Sequence, residues 1–473
     1  MGGHLPEFLQ DINSTTMTDE EKLVCESAKS SAVLTSAGSA TETDDNPLSE
    51  PDELEYVPDG GREAWTIVVG STLALVASAG MINAYGTFQD YYERTLLPDT
   101  SASTIAFIGS LQTFFLYFIG PLVGRVFDAY GSKYLLPLGS FICVFALMMV
   151  SLAETNKAYQ VFLAHGVLFG IGISLLFNPS IAVLGHWFRR KRALAIGITT
   201  GGSALGGVLL PIIIGRLIPK LGFGWAVRIM AFVLMSCLIV ACLTIRTRLP
   251  LSRDISLRTA VDLGGFRDPR YTLAAIGSFL ILVAFFIPYT YIQIYAQYRQ
   301  VPPHIANYLI SILNAMNIPS RILPGLLANK YGALNVYIVA ATVCSILCLG
   351  LWLPARNVAS IVAFTILYGL FSGALVSLIP TYIATISPRE KYGARLGSVY
   401  MIIAFGTLIG TPTAGALLKV ADETHFAHLI IFCGVLTGAG AFVLGLAALA
   451  GNARVRQRLR QVCGQRLSAE AVP

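Results

Sequence analysis

Charge is scarce in this chain. Of its 473 residues only 13% are Asp, Glu, Lys or Arg, against about a quarter in an ordinary soluble domain. The eight cysteines show neither a CxxC pair nor metal-ligand spacing, so no disulfide framework and no metal site are expected. Cys143, Cys237, Cys242, Cys344, Cys348 and Cys433 fall inside apolar stretches, where a thiol acts as a small packing group. Those stretches also lack paired carboxylates or a nucleophile beside a base. That excludes the usual enzyme chemistries, and no cofactor is expected. Amphipathic stripes are missing too, which excludes the two or three soluble domains that the length alone would suggest.

In their place stand long apolar blocks. Hydrophobic residues make up 55% of the chain and gather at roughly 65–88, 104–124, 134–153, 160–184, 193–215 and 225–245. After a polar stretch they resume at roughly 271–295, 304–327, 333–353, 358–383, 393–416 and 427–450. A bilayer core of about 30 Å needs about 20 apolar residues in helix, and helices satisfy their backbone groups internally in lipid. The pattern predicts an all-α polytopic membrane protein, with twelve transmembrane helices in two six-helix bundles at 64–245 and 271–450. Residues 1–63 are acidic, Ser/Thr-rich and poor in aromatics, a composition too polar to bury a core, and predict a disordered tail. A basic linker spans 246–270 and a basic tail 451–473.

Lys and Arg set the orientation, because they favour the cytoplasmic side of short loops. Arg189 to Arg192, six arginines between Arg246 and Arg270, and Arg454, Arg456, Arg458 and Arg460 all lie on the side that carries both termini. Both ends are therefore expected in the cytoplasm, of a protein in the plasma membrane. The sequon at Asn13 should then stay unmodified. The C-terminal arginines could be read as a nucleic-acid patch. They directly follow the last span, and anchoring to the bilayer is the simpler reading, so no nucleic-acid partner is expected.

A short motif recurs in the two halves. Gly124-Arg125-Val126-Phe127-Asp128-Ala129-Tyr130-Gly131-Ser132-Lys133 follows the second span, and Gly325-Leu326-Leu327-Ala328-Asn329-Lys330-Tyr331-Gly332 follows the eighth. Both read Gly-x3-polar-x-Tyr-Gly. This resembles the loop signature of the major facilitator superfamily and implies that superfamily's fold. The glycines permit close helix approach, and Asp128 can sit at a helix terminus or pair with an Arg. Gly124, Asp128, Gly131 and Lys133 are the candidate gating set, against the plainer reading of a capped turn.

A second stretch runs His186-Trp187-Phe188-Arg189-Arg190-Lys191-Arg192-Ala193-Leu194-Ala195-Ile196-Gly197, and Asp59-Gly60-Gly61 stands before the first span with Trp65 close behind. Together they resemble the signatures of the monocarboxylate-porter family. Tyr368-Gly369, Pro380, Ser387-Pro388, Gly393-Ala394-Arg395 and Gly410-Thr411-Pro412 are similar to its fungal members in particular.

Polar residues inside spans are the candidate solute contacts, because burying them is costly. On the eighth span Asn314, Asn317 and Arg321 share a helical face. The family resemblance ties the arginine of this helix to carboxylate binding, and a guanidinium there could clamp a carboxylate through two hydrogen bonds. Alternatively Arg321 snorkels toward Lys330 and the interface. Animal proton-coupled members carry an acidic residue where this chain has Asn317, and a lysine where it has Asn83. Asn exchanges no proton at physiological pH, so coupling would need another group. Further candidates are Tyr85, Asn178 and Tyr291, with His165 as either a proton relay or a satisfied interhelical contact. The expected partners are the lipid bilayer and a small-molecule substrate. The expected function is secondary active transport of an organic acid or related small metabolite by alternating access, in uptake or efflux. The alternatives are a non-transporting nutrient receptor on the same fold, or an exporter of a secondary metabolite without proton–monocarboxylate coupling.

Overall fold

The computed structural model describes residues 59–188, 191–248, 261–388, 391–418 and 422–470. The tail expected at 1–63 therefore lies almost wholly outside the described residues, as do Asn13, Arg189 and Arg190. The described residues up to Gly451 belong to one compact unit.

Among the described residues this unit is helical, with no strand. The first span is Arg62–Leu96, the third Ser132–Val150 and the fourth Ala158–Trp187. The second is a bent pair, Ala102–Phe118 and Gly120–Tyr130, with a 44° break where Gly120 and Pro121 interrupt the backbone ladder. Helix Arg192–Thr244 holds the fifth and sixth spans, joined at Gly222, whose φ of 77° suits glycine. Gly202 packs on Thr72 and Thr244 packs on Gly70, so the two arms run antiparallel about that joint. The second half comprises Pro269–Tyr298, Leu309–Tyr331, Ala333–Trp352, Val358–Ile386, Tyr392–Leu417 and helix Glu423–Glu470.

By length and hydropathy nine of the described helices could cross a membrane, or ten with the bent pair counted. The expected twelve are reached because the joined fifth and sixth spans count once in that figure. Leu309–Tyr331, of spanning length, also falls outside it, and this is the helix that carries Asn314, Asn317 and Arg321. The first span outruns its apolar block: it continues past Phe88 through a π-turn, Tyr92–Leu96.

The turns at Gly131 and Gly332, with Phe188, Lys191, Arg246, Asp268, Ser387 and Lys391, share one face, here the near face. The turns at 97–101, 151–157, 222, 299–308 and 353–357, with Leu418 and Asp422, share the opposite, far face.

The repeated motif has the same geometry in both halves. Helices end at Tyr130 and Tyr331, and Gly131 and Gly332 follow at φ of 69° and 85°. Their N–H groups donate to the carbonyls of Phe127 (2.7 Å) and Ala328 (2.9 Å). Only glycine takes such backbone angles without strain, which accounts for the glycine at this place in each half.

Candidate functional site

Arg321 sits near the middle of the eighth span, Leu309–Tyr331, about 18 Å of helix from its start and about 15 Å from its end. Its side chain is enclosed, with 7% of the residue exposed, so it does not snorkel to the interface. Its Nε is buried without a hydrogen-bond partner. Arg270, Arg299, Arg356 and Arg395 each hold a carboxylate. Arg321 has no ion pair among the described residues. Its charge is acted on by the hydroxyls of Tyr289, from the seventh span, and Tyr117, from the second. Tyr117 in turn packs on Tyr400 of the eleventh, ring centres 5.1 Å apart. A cation held this way in low dielectric is costly.

One turn before it, Asn317 is fully buried. Its Nδ2 donates to the hydroxyl of Tyr289 and, at 3.1 Å, to Ser372 Oγ; Tyr289 and Ser372 are themselves 3.2 Å apart. Asn317 Oδ1 and the neighbouring Ser320 Oγ have no partner. Asn314 completes the face, donating to the Ile310 carbonyl (2.9 Å) and the Asn83 carbonyl (3.5 Å). Asn83 donates across to the Ser203 carbonyl at 3.2 Å. The first, fifth, seventh, eighth and tenth spans thus meet around Asn83, Asn314, Asn317 and Arg321. The close approach of the first and fifth uses Gly80 and Gly206, where a Cβ would press on the opposing backbone.

Other candidates lie elsewhere. Tyr85 donates to the Ile105 carbonyl at 2.6 Å and, with Ile82, Ser110, Thr113, Tyr289 and Thr411, lines a void of about 20 Å³ between the halves. Asn178 does not join the Arg321 group. It donates to Ser174 O (3.1 Å) and Oγ (3.2 Å) and packs beside Gly120. Nor does Tyr291, which points to the far face and donates to the Thr411 carbonyl at 3.1 Å. Its neighbour Tyr289 takes the site position instead, because residues two apart on a helix face different ways. In the sequence Tyr289 pairs with Gln293 and Tyr291 with Tyr295 at i,i+4 on adjacent faces of the seventh span, whereas Tyr117, Ser320 and Ser372 have no distinguishing signal beyond polarity inside a span. His165 is enclosed by Tyr85, Phe88, Tyr92 and Phe169, and its Nδ1 is 2.9 Å from the Tyr92 hydroxyl, an interhelical contact between the first and fourth spans.

The far face is closed by contacts between the two halves. Ser103 donates to the Pro412 carbonyl (2.7 Å), Ser110 bonds Thr411, and Arg216 donates to the Tyr308 hydroxyl (3.1 Å). Gly86 packs against the Tyr289 carbonyl and Gly415 against Ser103.

On the near face the two sequence signatures meet. Asp59 accepts from the Lys191 N–H (3.3 Å) and its own N–H donates to the Trp187 carbonyl (3.1 Å). Trp65 packs edge-on against Phe188 at 5.4 Å, and Trp187 Nε1 donates to the Arg246 carbonyl (3.1 Å). Of the gating set, Gly131 forms the turn above and Gly124 is half-buried. Asp128 is exposed, one turn from Arg125, and the exposed Lys133 lies over its neighbour Tyr134.

The family model for the Major Facilitator Superfamily matches residues 65–357 and 302–469. The chain belongs to the major facilitator superfamily. It is similar to MFS-type transporter 1 of Ophiocordyceps sp. (strain BCC 1869), 40% identical over 416 residues, covering 87% of this chain and 92% of that protein. The fujikurins efflux protein of Gibberella fujikuroi is 37% identical over 395 residues, with 83% and 84% covered. The aspyridones efflux protein of Emericella nidulans is 37% identical over 391 residues, with 81% and 79% covered. Among solved structures the nucleoside transporter NupG has the same fold, with a TM-score of 0.65 at 15% identity, over 82% of this chain and all of that one. This chain is an integral, multi-pass membrane transporter of the superfamily, and its relatives are transporters.

Proposed function

We propose that this transporter exports an acidic secondary metabolite, with Arg321 as its anion-binding group. The observation that carries this reading is the enclosed Arg321 guanidinium, unpaired at mid-span beside Tyr117 and Tyr289. A carboxylate or enolate is the partner that would repay its desolvation, through charge-assisted hydrogen bonds. Tyr117, Tyr289 and Tyr400 would face the aromatic or polyene part of such a solute, and Asn317 Oδ1 and Ser320 Oγ would take its neutral polar groups. Two relatives carry the word efflux in their names, which favours export over uptake. The sequence signatures favour the monocarboxylate-porter branch, with Asn317 and Asn83 marking a departure from proton–lactate chemistry.

In this reading the halves 64–245 and 271–450 rock about the Arg321 level, and the motif of Gly124, Asp128, Gly131 and Lys133 sets the timing at the near face. The near face is cytoplasmic, and the membrane is the plasma membrane.

The test is metabolite profiling of cells and medium with the wild-type gene, with a deletion, and with Arg321→Gln and Arg321→Lys. An acidic compound should accumulate inside deletion cells and stay there with Arg321→Gln, at unchanged protein in the membrane. Lysine should rescue in part, since it keeps the charge and loses the fork. A compound left unconsumed in the medium would overturn export, and full export by Arg321→Gln would overturn the anion site.

A further inference from the structure

The second and eleventh spans meet along a seam whose two parts are built differently. Toward the far face Ser103 and Ser110 bond across it to Pro412 and Thr411. At mid-span it is closed by rings. Phe114 and Phe118 each meet Phe405 edge-on, ring centres 5.5 and 5.8 Å apart, and stack on one another at 4.9 Å. The side-chain hydrogen bonds at this level stay within one half: the Leu116 carbonyl accepts from Ser174, and Thr407 donates to the Ala404 carbonyl. The seam between the fifth and eighth spans contrasts with this. There Ser311 donates to the Val208 carbonyl at 3.1 Å, and Gly207 and Gly197 bring the fifth span against Asn314 and Ile322.

The ring seam leads from the hydrocarbon to the site. Phe405 is 51% exposed at mid-span, and Ile409 and Leu122, one turn from Phe405 and Phe118, are exposed as well. Deeper in, the rings of Tyr117 and Tyr400 lie 5.1 Å apart, and the Tyr117 hydroxyl acts on the Arg321 charge. Just after Phe118 the second span bends by 44° at Gly120 and Pro121, a hinge for the arm that follows. Lipid tails are as apolar as these rings, so no hydrophobic force holds the rings together in a bilayer. An apolar chain that slides between Phe118 and Phe405 replaces ring contacts with contacts of the same kind. The same chain between the fifth and eighth spans would break a hydrogen bond and part helices that touch through glycine. A charged group is costly in either seam, so the ring seam suits the apolar part of a solute and not its acid group.

We propose that the seam between the second and eleventh spans is a portal for the apolar tail of the solute, and that the solute is an amphiphilic acid loaded from the near leaflet. When the halves part at the near face, the acid group passes between them to Arg321. The tail follows through the rings of Phe114, Phe118 and Phe405 and stays in contact with lipid. The central site then needs no chamber long enough for the whole solute, and tail length is limited by the bilayer. This rests on the reading of Arg321 as the anion site and narrows it to one class of acid.

The experiment is photolabelling of the full-length protein in lipid nanodiscs. The probes are two dodecyl-substituted benzoic acids, one with a diazirine on the ring and one with it at the end of the tail. Adducts are mapped by mass spectrometry with and without an excess of the plain acid, and those that the excess removes are counted. The ring probe should mark residues around Tyr117 and Tyr289, and the tail probe 114–122 and 405–409. Phe118→Leu with Phe405→Leu should raise the initial rate of tail labelling about fivefold, the scale of one lost ring contact. Competed tail adducts at the fifth–eighth seam, or in the central site with none at 114–122 and 405–409, would overturn the portal and leave the acid site standing. An unchanged rate in the double variant would overturn it too. Ring adducts that persist in Arg321→Gln would refute the anion site instead, and competed labelling by neither probe would refute both.

Discussion

Arg395 Nε lies 3.2 Å from Asp262 Oδ2, and both side chains are more than four-fifths enclosed. The pair ties the connector between the halves to the start of the eleventh span. It is backed on all sides: Arg395 also donates to the Ile386 carbonyl at 3.1 Å, Tyr271 donates to the Arg395 carbonyl at 2.7 Å, and the Asp262 N–H reaches Ser398 Oγ at 3.0 Å. Asp262 further caps the short turn Leu263–Arg267. A double-mutant cycle of Asp262→Asn and Arg395→Gln should give a coupling of about 1–2 kcal/mol, above that of exposed pairs. Thermal unfolding in detergent measures it, and additive effects would show the contact to be incidental.

Asn317→Asp should place a carboxylate one turn before Arg321, where the two can pair. Affinity for an acidic solute is expected to fall by about tenfold, the scale of one charge-assisted hydrogen bond. Transport should also become more sensitive to pH than in wild type, because the new group must lose or gain a proton with each cycle. Solute uptake into inverted vesicles across a pH series would show it, and a flat profile with unchanged affinity would count against Arg321 as the anion site.

Gly86→Ala tests the far-face seal. A Cβ there would meet the backbone carbonyl of Tyr289, which cannot swing aside, so closure should be hindered. Turnover should fall about tenfold or more, the effect of losing roughly 1.4 kcal/mol at one step, and a cysteine placed at Ser103 should become more reactive to an impermeant maleimide. Gly201→Ala, with open space at its Cβ position, should change neither readout.

Asp128→Asn should lower turnover about three- to tenfold with little change in half-saturation, as expected for a group that acts on a conformational step. Concentration-dependent transport separates the two parameters. A raised half-saturation at full turnover would return Asp128 to the role of a turn residue.

Much of the fold was legible because hydrocarbon imposes a simple rule on the chain: apolar blocks of span length, with arginines outside them. The eighth span was legible despite its polar face, since its flanks and the repeated Tyr-Gly turn placed it. Arg321, Asn317 and Asn314 were found by helical spacing. The sequence places Gln89 on the first span, whose apolar block ends near residue 88, but Asp90 and Glu93 beyond it look like loop. They remain helical because the seventh span supplies Gln293 and Tyr291 opposite them, and no local pattern announces a partner about 200 residues away in sequence. Tyr291 and Tyr289 could not be told apart for a related reason. Both are aromatic, both carry a hydroxyl, and only the rotation of the seventh span decides which one meets Asn317. Asn178 stands apart from the Arg321 group because its partner, Ser174, is on its own helix.

The void behind the closed far face, about 20 Å³, is room for a single water and little more. No metabolite of drug-like size fits there, so a blocker applied from the far side has nothing to grip until the halves part. Its observed binding rate should therefore level off with concentration at the opening rate of the protein. Compounds screened by equilibrium affinity alone would then be ranked by how often the door stands open as well as by how well they fit.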